Sequence, residues 1–581
     1  MADKTKTPVL SQAIIKYAKL ASGEHPKADF DEYLKHLADP ASSAPLPIKS
    51  DTSHPLSHYF ISSSHNTYLS GNQLWSKSSA DAYKDVLKRG CRCVEIDLWD
   101  GDSPSSSEAE DDGKPEDREV GKLAGMLKQK LGRLRGRSKA DKKAPEESPV
   151  TEDAMPAPWR ASSGRSEPVV YHGYTATKEM PFRKVCEVVR DYAFRTSDLP
   201  VIVSLEVHCS IPQQEIVVEL MNDYWGAYLV RRPDDFSDSA PLPALESLKK
   251  KILVKVKYSP PEKAKKTEAS KSGADSSSED DSEAVKKGKI LPALSSMGVF
   301  TRAFHFSNFE QPEAKIPTHV FSLSESKLLD ACEEHQEKVL DHNRHYLMRA
   351  YPKGTRLSSS NLDPTPFWRV GLQMASYVVR PAVLRRFANV QQVALNFQKM
   401  NAAMMLNTAQ FDGSGGWVLK PAGYLPTEKQ SRPDRVELDL SIKLLAAQNL
   451  GLEGDTPNVY VKCELHVESQ DEIEQHRIPK AGENKGGERK LRSATHHSRE
   501  PDFNDEALEF KRVQHVFPPL SFVRIKVMDD TTYQTDKLLG WACYRLDRLP
   551  QGLLLVHLRG EDSKPTTGML LLSVQSNLKV P

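Results

Sequence analysis

The sequence predicts an α/β barrel followed by a small all-β sandwich. Three observations carry that prediction. Between about residues 52 and 430, short apolar strand-like runs alternate with helical segments, which implies a parallel sheet. Many of those runs end in a polar or charged cluster, as the strand ends of a catalytic barrel do. From 434 to 581 the runs are strand-like with turn-rich spacing, the pattern of a sandwich.

Composition narrows the function classes. The chain has 581 residues, enough for a large barrel plus a further module. Lys and Arg total 80 against 79 Asp and Glu, a net charge of +1 that argues against a protein coating nucleic acid. No run is long and apolar enough for a transmembrane helix, and MADKTKTPVL lacks a signal pattern. Seven scattered cysteines without a CxxC pair indicate neither a disulfide framework nor a zinc site. The expectation is a reduced, cytoplasmic, multidomain protein.

The neutral average conceals local asymmetry. Acidic residues Glu108 to Glu119 precede a basic stretch from Lys122 to Lys143, and 259–289 is a second charged, serine-rich segment. Both lack the apolar content to offset ordering entropy. The expected organisation is a short helical region at 1–50 and a first barrel half at 51–258 with a charged insertion at 102–167. A disordered linker at 259–289, a second barrel half at 290–430 and a sandwich at 431–581 follow. Val120, Leu123, Met126, Leu127, Leu131 and Leu134 recur at helical spacing among the basic residues. A solvated insertion is the favoured reading of that stretch, and a helix lying on an anionic membrane is the alternative.

Taken in order, the strand-like runs deliver chemistry. HYFISSS leads to His65 and Asn66; CRCVEIDLWDG carries Glu95 and Asp97; PVVYHG ends on His172; and LPVIVSLEVH carries Glu206. KILVKVK carries Lys255 and Lys257, and HYLMRAYP carries Arg349 and Tyr351. Strand alternation puts Glu95 with Asp97, Lys255 with Lys257, and Arg349 with Tyr351 on shared faces. Helical segments at 78–89 and 181–194 intervene. Asn66, Glu95, Asp97 and Glu206 are hard oxygen donors that suit Ca²⁺ or Mg²⁺ better than zinc. Two histidines suit acid–base work near neutral pH, and the Lys/Arg group suits phosphates. Together they suit phosphoryl transfer on an anionic phosphate ester. His58 and His208 read as structural.

These motifs resemble the eukaryotic phosphoinositide-specific phospholipases C, of the delta type. SHNTYL (64–69), GCRCVEIDLWDG (90–101), VVYHGYTAT (169–177) and PVIVSLEVHCS (200–210) carry the likeness in the first half. FSLSES (321–326), RAYPKGTRLSSSNLDP (349–364), ALNFQ (394–398) and GWVLKPAGYL (416–425) carry it in the second. The resemblance implies a distorted TIM-like (β/α)8 barrel in two halves, with His65 and His172 as catalytic histidines and Glu95 as base. It implies Ca²⁺ as cofactor on Asn66, Glu95, Asp97 and Glu206, and inositol phosphates on Lys255, Lys257, Ser322, Arg349 and Tyr351. The implied reaction cleaves phosphatidylinositol 4,5-bisphosphate to diacylglycerol and inositol trisphosphate through a cyclic phosphate. The implied partner is a phosphoinositide-containing membrane surface, visited peripherally and transiently by a monomer. The alternative is a catalytically impaired, lipid-binding scaffold of the same family.

The C-terminal runs, with PDFNDEALEF (501–510) and DKLLGWACYRL (536–546), resemble a C2 domain. Asp455, Asp529 and Asp536, with Asp530 nearby, are its candidate Ca²⁺ ligands, although Thr531 stands where calcium-binding relatives often carry Asp. Some features depart from the family. No pleckstrin-homology domain is expected, and the pattern at 9–38 reads as a remnant of the helical lobe that precedes the barrel in relatives. The lipid-inserting rim is reduced to Leu74 and Trp75, with Ala176 and Thr355 at positions where relatives often carry aromatics. ASYVVRPAVLRRFANVQQ (375–392) separates Gly371-Leu372-Gln373-Met374 from Val393-Ala394-Leu395-Asn396, which are continuous in the family. The favoured reading is a retained intron, with a surface loop as the alternative. Mature transcript sequenced across codons 375–392 is expected to lack them in most reads, and most reads containing them would overturn the intron reading.

Overall fold

The computed structural model describes residues 9–23, 27–48, 51–71, 77–101, 166–173, 177–233, 237–259, 290–351, 361, 363–374, 397, 400–426, 434–451, 454, 456–474, 487–531 and 535–580. The basic stretch, the acidic stretch before it, 260–289, the insert at 375–392, Leu74, Trp75, Ala176, Thr355 and Asp455 all lie outside the described residues.

Eight staves close a barrel. After strand β1 (Tyr59–Ile61), the segment through Ser64 pairs in parallel with β2 (Cys93–Trp99) at Ser63 and Cys93. β2 continues in parallel to β5 (Val201–Val207) and β6 (Ile252–Lys257). The series runs on through β7 (Arg302–Phe304), β8 (His319–Ser324) and β9 (Leu347–Tyr351). Gln373 and Met374 form the last stave: Met374 pairs with Arg349, and the Ile61 N–H donates to the Gln373 carbonyl at 2.8 Å. In a separate two-stranded sheet, β1 is also an antiparallel partner of β10 (Trp417–Leu419).

One expected stave is not a stave. The run ending on His172 contains β3 (Val169–Val170), which pairs antiparallel both with the far end of β2 and with β4 (Met180–Pro181). The apolar run is only two paired residues long, so it forms a hairpin at the barrel mouth. Strand propensity alone does not separate the two outcomes.

Helices pack outside the staves for readable reasons. The helix Ala80–Lys88 starts at Ser79, whose hydroxyl accepts the Asp81 N–H, and it buries Tyr83, Val86 and Leu87. The helix Phe182–Tyr192 buries Phe182, Val185, Cys186 and Val189, the i, i+3, i+4, i+7 stripe of a core-facing helix. Both lie within the spans read from sequence.

The C-terminal sandwich runs β11 (Val436–Gln448), β12 (Asn458–His466), β13 (Glu488–Arg492), β14 (His496–His497), β15 (Asp502–Val516), β16 (Phe522–Asp529), β17 (Lys537–Arg545), β18 (Gly552–Arg559) and β19 (Pro565–Lys579). All its pairings are antiparallel, in the order β13-β12-β16-β17-β18-β19-β11-β15. β17 and β18 meet only at Trp541 and Arg559, the crease between two layers that close over one apolar core.

Among the described residues, the N-terminal helices Gln12–Ser22 and Lys27–Ala38 pack on this sandwich and not on the barrel. Ile14, Tyr17, Ala18, Leu37 and Ala38 cover Leu445, Ala446, Leu555, Met569 and Leu571. The Tyr17 hydroxyl reaches Asp502 at 2.7 Å. An amphipathic pattern shows that a face is buried but not against what.

Barrel and sandwich share one apolar cluster. Trp368 packs against Phe522 of β16 at 5.9 Å between ring centroids, and Phe60 and Phe411 also flank it. Arg369 reaches Glu472 at 3.2 Å beside that seam. Removing a buried indole should cost about 3–5 kcal/mol. Trp368→Ala is therefore expected to lose stability of that order in denaturant melts, and a loss under about 1 kcal/mol would mean that the seam is not packed in solution.

Candidate functional site

The site is built on the carboxyl-end side of the first staves. The turn after β1 is pinned to β2: the Ser64 N–H donates to the Cys93 carbonyl at 2.8 Å, and the Thr67 hydroxyl accepts the Glu95 N–H at 3.0 Å. Asn66 sits in the left-handed region, with φ 37°, which asparagine tolerates better than most residues. That conformation turns its N–H onto Glu95 Oε2 at 3.0 Å. His65 Nε2 lies 4.0 Å from the same oxygen.

Register then lines up the charges. Glu95 stands opposite Ser204, Asp97 opposite Glu206, Ser204 opposite Lys255, and Ser322 opposite Arg349. Glu95 is fully buried and Arg349 is 1% exposed. Both terminal nitrogens of Arg349 lie 3.1 Å from Glu95 Oε1. The Ser204 hydroxyl accepts from Lys255 Nζ at 3.2 Å and from Arg349 Nη1 at 3.4 Å. Lys255 Nζ lies 3.7 Å and Arg349 Nη1 3.9 Å from Glu206 Oε1. Burial pulls the Lys255 ammonium below its usual range, against the pull of Glu206.

Asp97 is the least compensated member. Burial, then the neighbouring Glu95, push its carboxyl well above the usual carboxylate range. Its Oδ2 accepts the Tyr68 hydroxyl at 2.7 Å, while its buried Oδ1 has no hydrogen-bond donor among the described residues. A buried carboxylate oxygen without a donor is costly, and an approaching cation would relieve it.

The structure thus brings His65, Asn66, Glu95, Asp97, Glu206, Lys255, Ser322 and Arg349 to one end of the barrel. The buried Ser322 hydroxyl has no hydrogen-bond partner among the described residues. Lys257 is exposed, one alternation beyond buried Lys255, and is not drawn into the ion-pair group. Tyr351 is placed by backbone register opposite Ser324. His172 comes from the β3–β4 hairpin, and its N–H donates to the Thr177 hydroxyl at 3.2 Å. The adjoining Gly173 touches Trp99 so closely that a Cβ there would lie 2.0 Å from the indole. Trp99 in turn stacks on His208 at 4.2 Å, in keeping with the structural reading of that histidine. Ser204 and Tyr68 were not read from the sequence as site residues. Their signals are a serine two residues before Glu206 on the same strand face and a tyrosine two residues after Asn66.

Glu95, Asp97 and Glu206 are not drawn into one tight cluster, because Glu206 faces Lys255 and Arg349. Among the described residues, three ligating groups lie within 4.8 Å of one another only at Glu464, His466 and Glu488 in the sandwich. There Arg524 and Lys526 already supply the positive charge. Burial raises the Glu464 carboxyl, but those two cations outweigh it and hold it down at about 2.

Residues 52–258 match phosphatidylinositol-specific phospholipase C, X domain, and 294–384 with 386–423 match its Y domain. The chain belongs to the phosphatidylinositol-specific phospholipase C family. Residues 438–559 of this phospholipase C relative match the C2 domain. It is 30% identical over 442 residues to 1-phosphatidylinositol 4,5-bisphosphate phosphodiesterase delta-3-A of Danio rerio, across 72% of this chain and 46% of that protein. To the delta-3 phosphodiesterase of Mus musculus it is 29% identical across 95% of this chain and 62% of that one. The crystal structure of S. officinalis PLC21 superposes with a TM-score of 0.66 at 27% identity, over 95% of this chain and 60% of that one. The phospholipase C chain here therefore spans about half to three fifths of the length of these relatives. Among the described residues, no helix is long and apolar enough to cross a membrane.

The C2 aspartates already have protein partners. Asp529 accepts the Asn458 N–H at 2.8 Å, and Asp536 accepts the Tyr460 hydroxyl at 2.6 Å. Hydrogen bonds from Arg492 and Thr495 hold Asp530 below the usual carboxylate range.

Removing Arg349 would leave Glu95 as a buried, uncompensated charge, which costs about 3–5 kcal/mol in comparable pairs. Arg349→Ala is expected to lose that much stability in denaturant unfolding, and unchanged stability would show that Glu95 does not depend on the pair.

Proposed function

We propose that the protein is a Ca²⁺-dependent phosphoinositide phospholipase C, a phosphoric diester hydrolase. It would cleave phosphatidylinositol 4,5-bisphosphate to diacylglycerol and inositol 1,4,5-trisphosphate through a cyclic phosphate. The observation that carries the reading is the juxtaposition at the barrel mouth of hard oxygen donors, one of them the donor-free Oδ1 of Asp97, with buried cations for phosphate. The donor set fits Ca²⁺.

Asn66, Glu95, Asp97 and Glu206 would hold the cation, with Glu206 leaving Lys255 and Arg349 to do so. When bound, the cation lowers the pKa of the inositol 2-hydroxyl and neutralises charge building on the phosphate. Glu95 takes the 2-hydroxyl proton, and Arg349 balances its charge. His65 donates a hydrogen bond to the phosphoryl oxygens. His172 gives its proton to the glyceryl oxygen as the P–O bond to diacylglycerol breaks, and then takes a proton from the water that opens the cyclic phosphate, while Glu95 returns its proton to the 2-oxygen as that second P–O bond breaks. Lys255, Lys257, Ser322, Arg349 and Tyr351 bind the ring and its phosphates, so substrate competes with Glu95 and Glu206 for the same cations.

The named activities of the relatives and the C2 domain support action at a phosphoinositide-containing membrane that the chain visits peripherally. The basic insertion and the rim residues Leu74 and Trp75 are further candidates for that contact.

Hydrolysis of phosphatidylinositol 4,5-bisphosphate in vesicles, with and without EGTA, tests the reading. Wild type is expected to be active only with Ca²⁺. His172→Ala is expected to lose about 10²–10⁴-fold in rate, the usual weight of a general acid. Equal turnover in EGTA would overturn the metal assignment, and no hydrolysis in any condition would favour the scaffold.

A further inference from the structure

Tyr68 is as deeply placed as any residue of the barrel, and burial of its ring is complete. It follows Asn66 by two residues in a turn that is held at both ends: the Leu69 N–H donates to the Asn66 carbonyl at 2.9 Å, and the Ser79 N–H donates to the Tyr68 carbonyl at 2.8 Å. Its ring belongs to the apolar cluster of Leu69, Tyr83, Val94 and Ile96. Only its hydroxyl leaves that cluster. The hydroxyl lies 2.7 Å from Asp97 Oδ2 and 3.0 Å from Asn66 Oδ1.

Those two oxygens belong to different elements, the turn after β1 and the strand β2. A phenol has one hydrogen, so it cannot donate fully to both. It draws an amide oxygen and a carboxylate oxygen toward one point and sets the carboxylate plane. With Oδ2 engaged, Asp97 presents its other oxygen, Oδ1, which has no donor among the described residues.

We propose that Tyr68 is the positioning residue of the barrel's cation site: its hydroxyl fixes Asp97 and Asn66 so that Asp97 Oδ1 is offered as a ligand. The proposal rests on the cation reading given above. Groups that orient ligands from behind typically contribute 10- to 100-fold to metal affinity.

Tyr83 provides the internal control. It is equally buried, and its hydroxyl donates to the main-chain carbonyl of Glu95 at 2.8 Å, with no hydrogen bond to a candidate ligand side chain among the described residues. Loss of either hydroxyl removes one buried hydrogen bond, so both substitutions carry a similar structural cost.

The test titrates Ca²⁺ into the full chain by calorimetry and by its shift of the unfolding temperature, with the barrel's share defined as the part lost in Asp97→Asn. Tyr68→Phe is expected to raise half-saturating Ca²⁺ on the order of 10-fold in binding and in hydrolysis, with kcat largely recovered at saturating Ca²⁺. Tyr83→Phe is expected to lower the unfolding temperature in EGTA and leave half-saturation where it was. A Tyr68→Phe titration matching wild type would overturn the proposal, and so would an equal shift in Tyr83→Phe. Absence of any Asp97-dependent Ca²⁺ response in wild type would instead overturn the cation reading, and the role of Tyr68 with it.

Discussion

Glu95 is a carboxylate with no access to water, and the rest of the barrel is arranged around that fact. Burying an ion without compensation is prohibitive, so the fold must bring it a cation and donors. The cation is Arg349, which lies in the second half of the barrel, beyond 260–289. The donor is the Asn66 N–H, available only because Asn66 adopts a left-handed backbone. The pair therefore welds two halves that are distant in sequence. The same nitrogen of Arg349 meets Ser204, which in turn receives Lys255, so one buried charge organises four staves.

A charge lattice of this kind is also what catalysis on a polyanion needs. Buried cations held by carboxylates are pre-oriented and partly desolvated before substrate arrives. Under the proposed function, substrate phosphates and a divalent cation would exchange partners with groups already in place, instead of recruiting them from solvent. Asp97, raised in pKa and short of one donor, is where the lattice is left incomplete.

The sandwich is not a loose appendage. Its strand β16 begins at Phe522, which packs on Trp368 of the barrel, and its outer face is covered by the N-terminal helices. Glu464 and Arg524 form a second buried pair within it, solved by the same rule as Glu95 and Arg349. Because barrel and sandwich share an apolar cluster, whatever orients one at a surface orients the other.

Much of this was legible in the chain. Alternating apolar runs located the staves, and hard oxygen donors at their ends pointed to a cation and a phosphate ester. His172 was legible as a candidate site residue but not as a hairpin residue, since two paired positions leave no periodicity to read. Lys255 and Lys257 looked equivalent by alternation, yet one is buried among carboxylates and the other exposed, because a strand passes from the core to the rim within two residues. The helices at 12–38 announced a buried face, but pattern alone does not name the partner of that face.

The sequence by itself determined the order of elements, the chemical types at the strand ends and the family motifs, because these depend on local residue type and spacing. Only the tertiary structure decided that Glu95 pairs with Arg349, that Ser204 joins Lys255 to Arg349, and that Tyr68 bridges Asn66 and Asp97. Those contacts join residues up to 254 positions apart, and their energies arise only once the barrel has closed and excluded water.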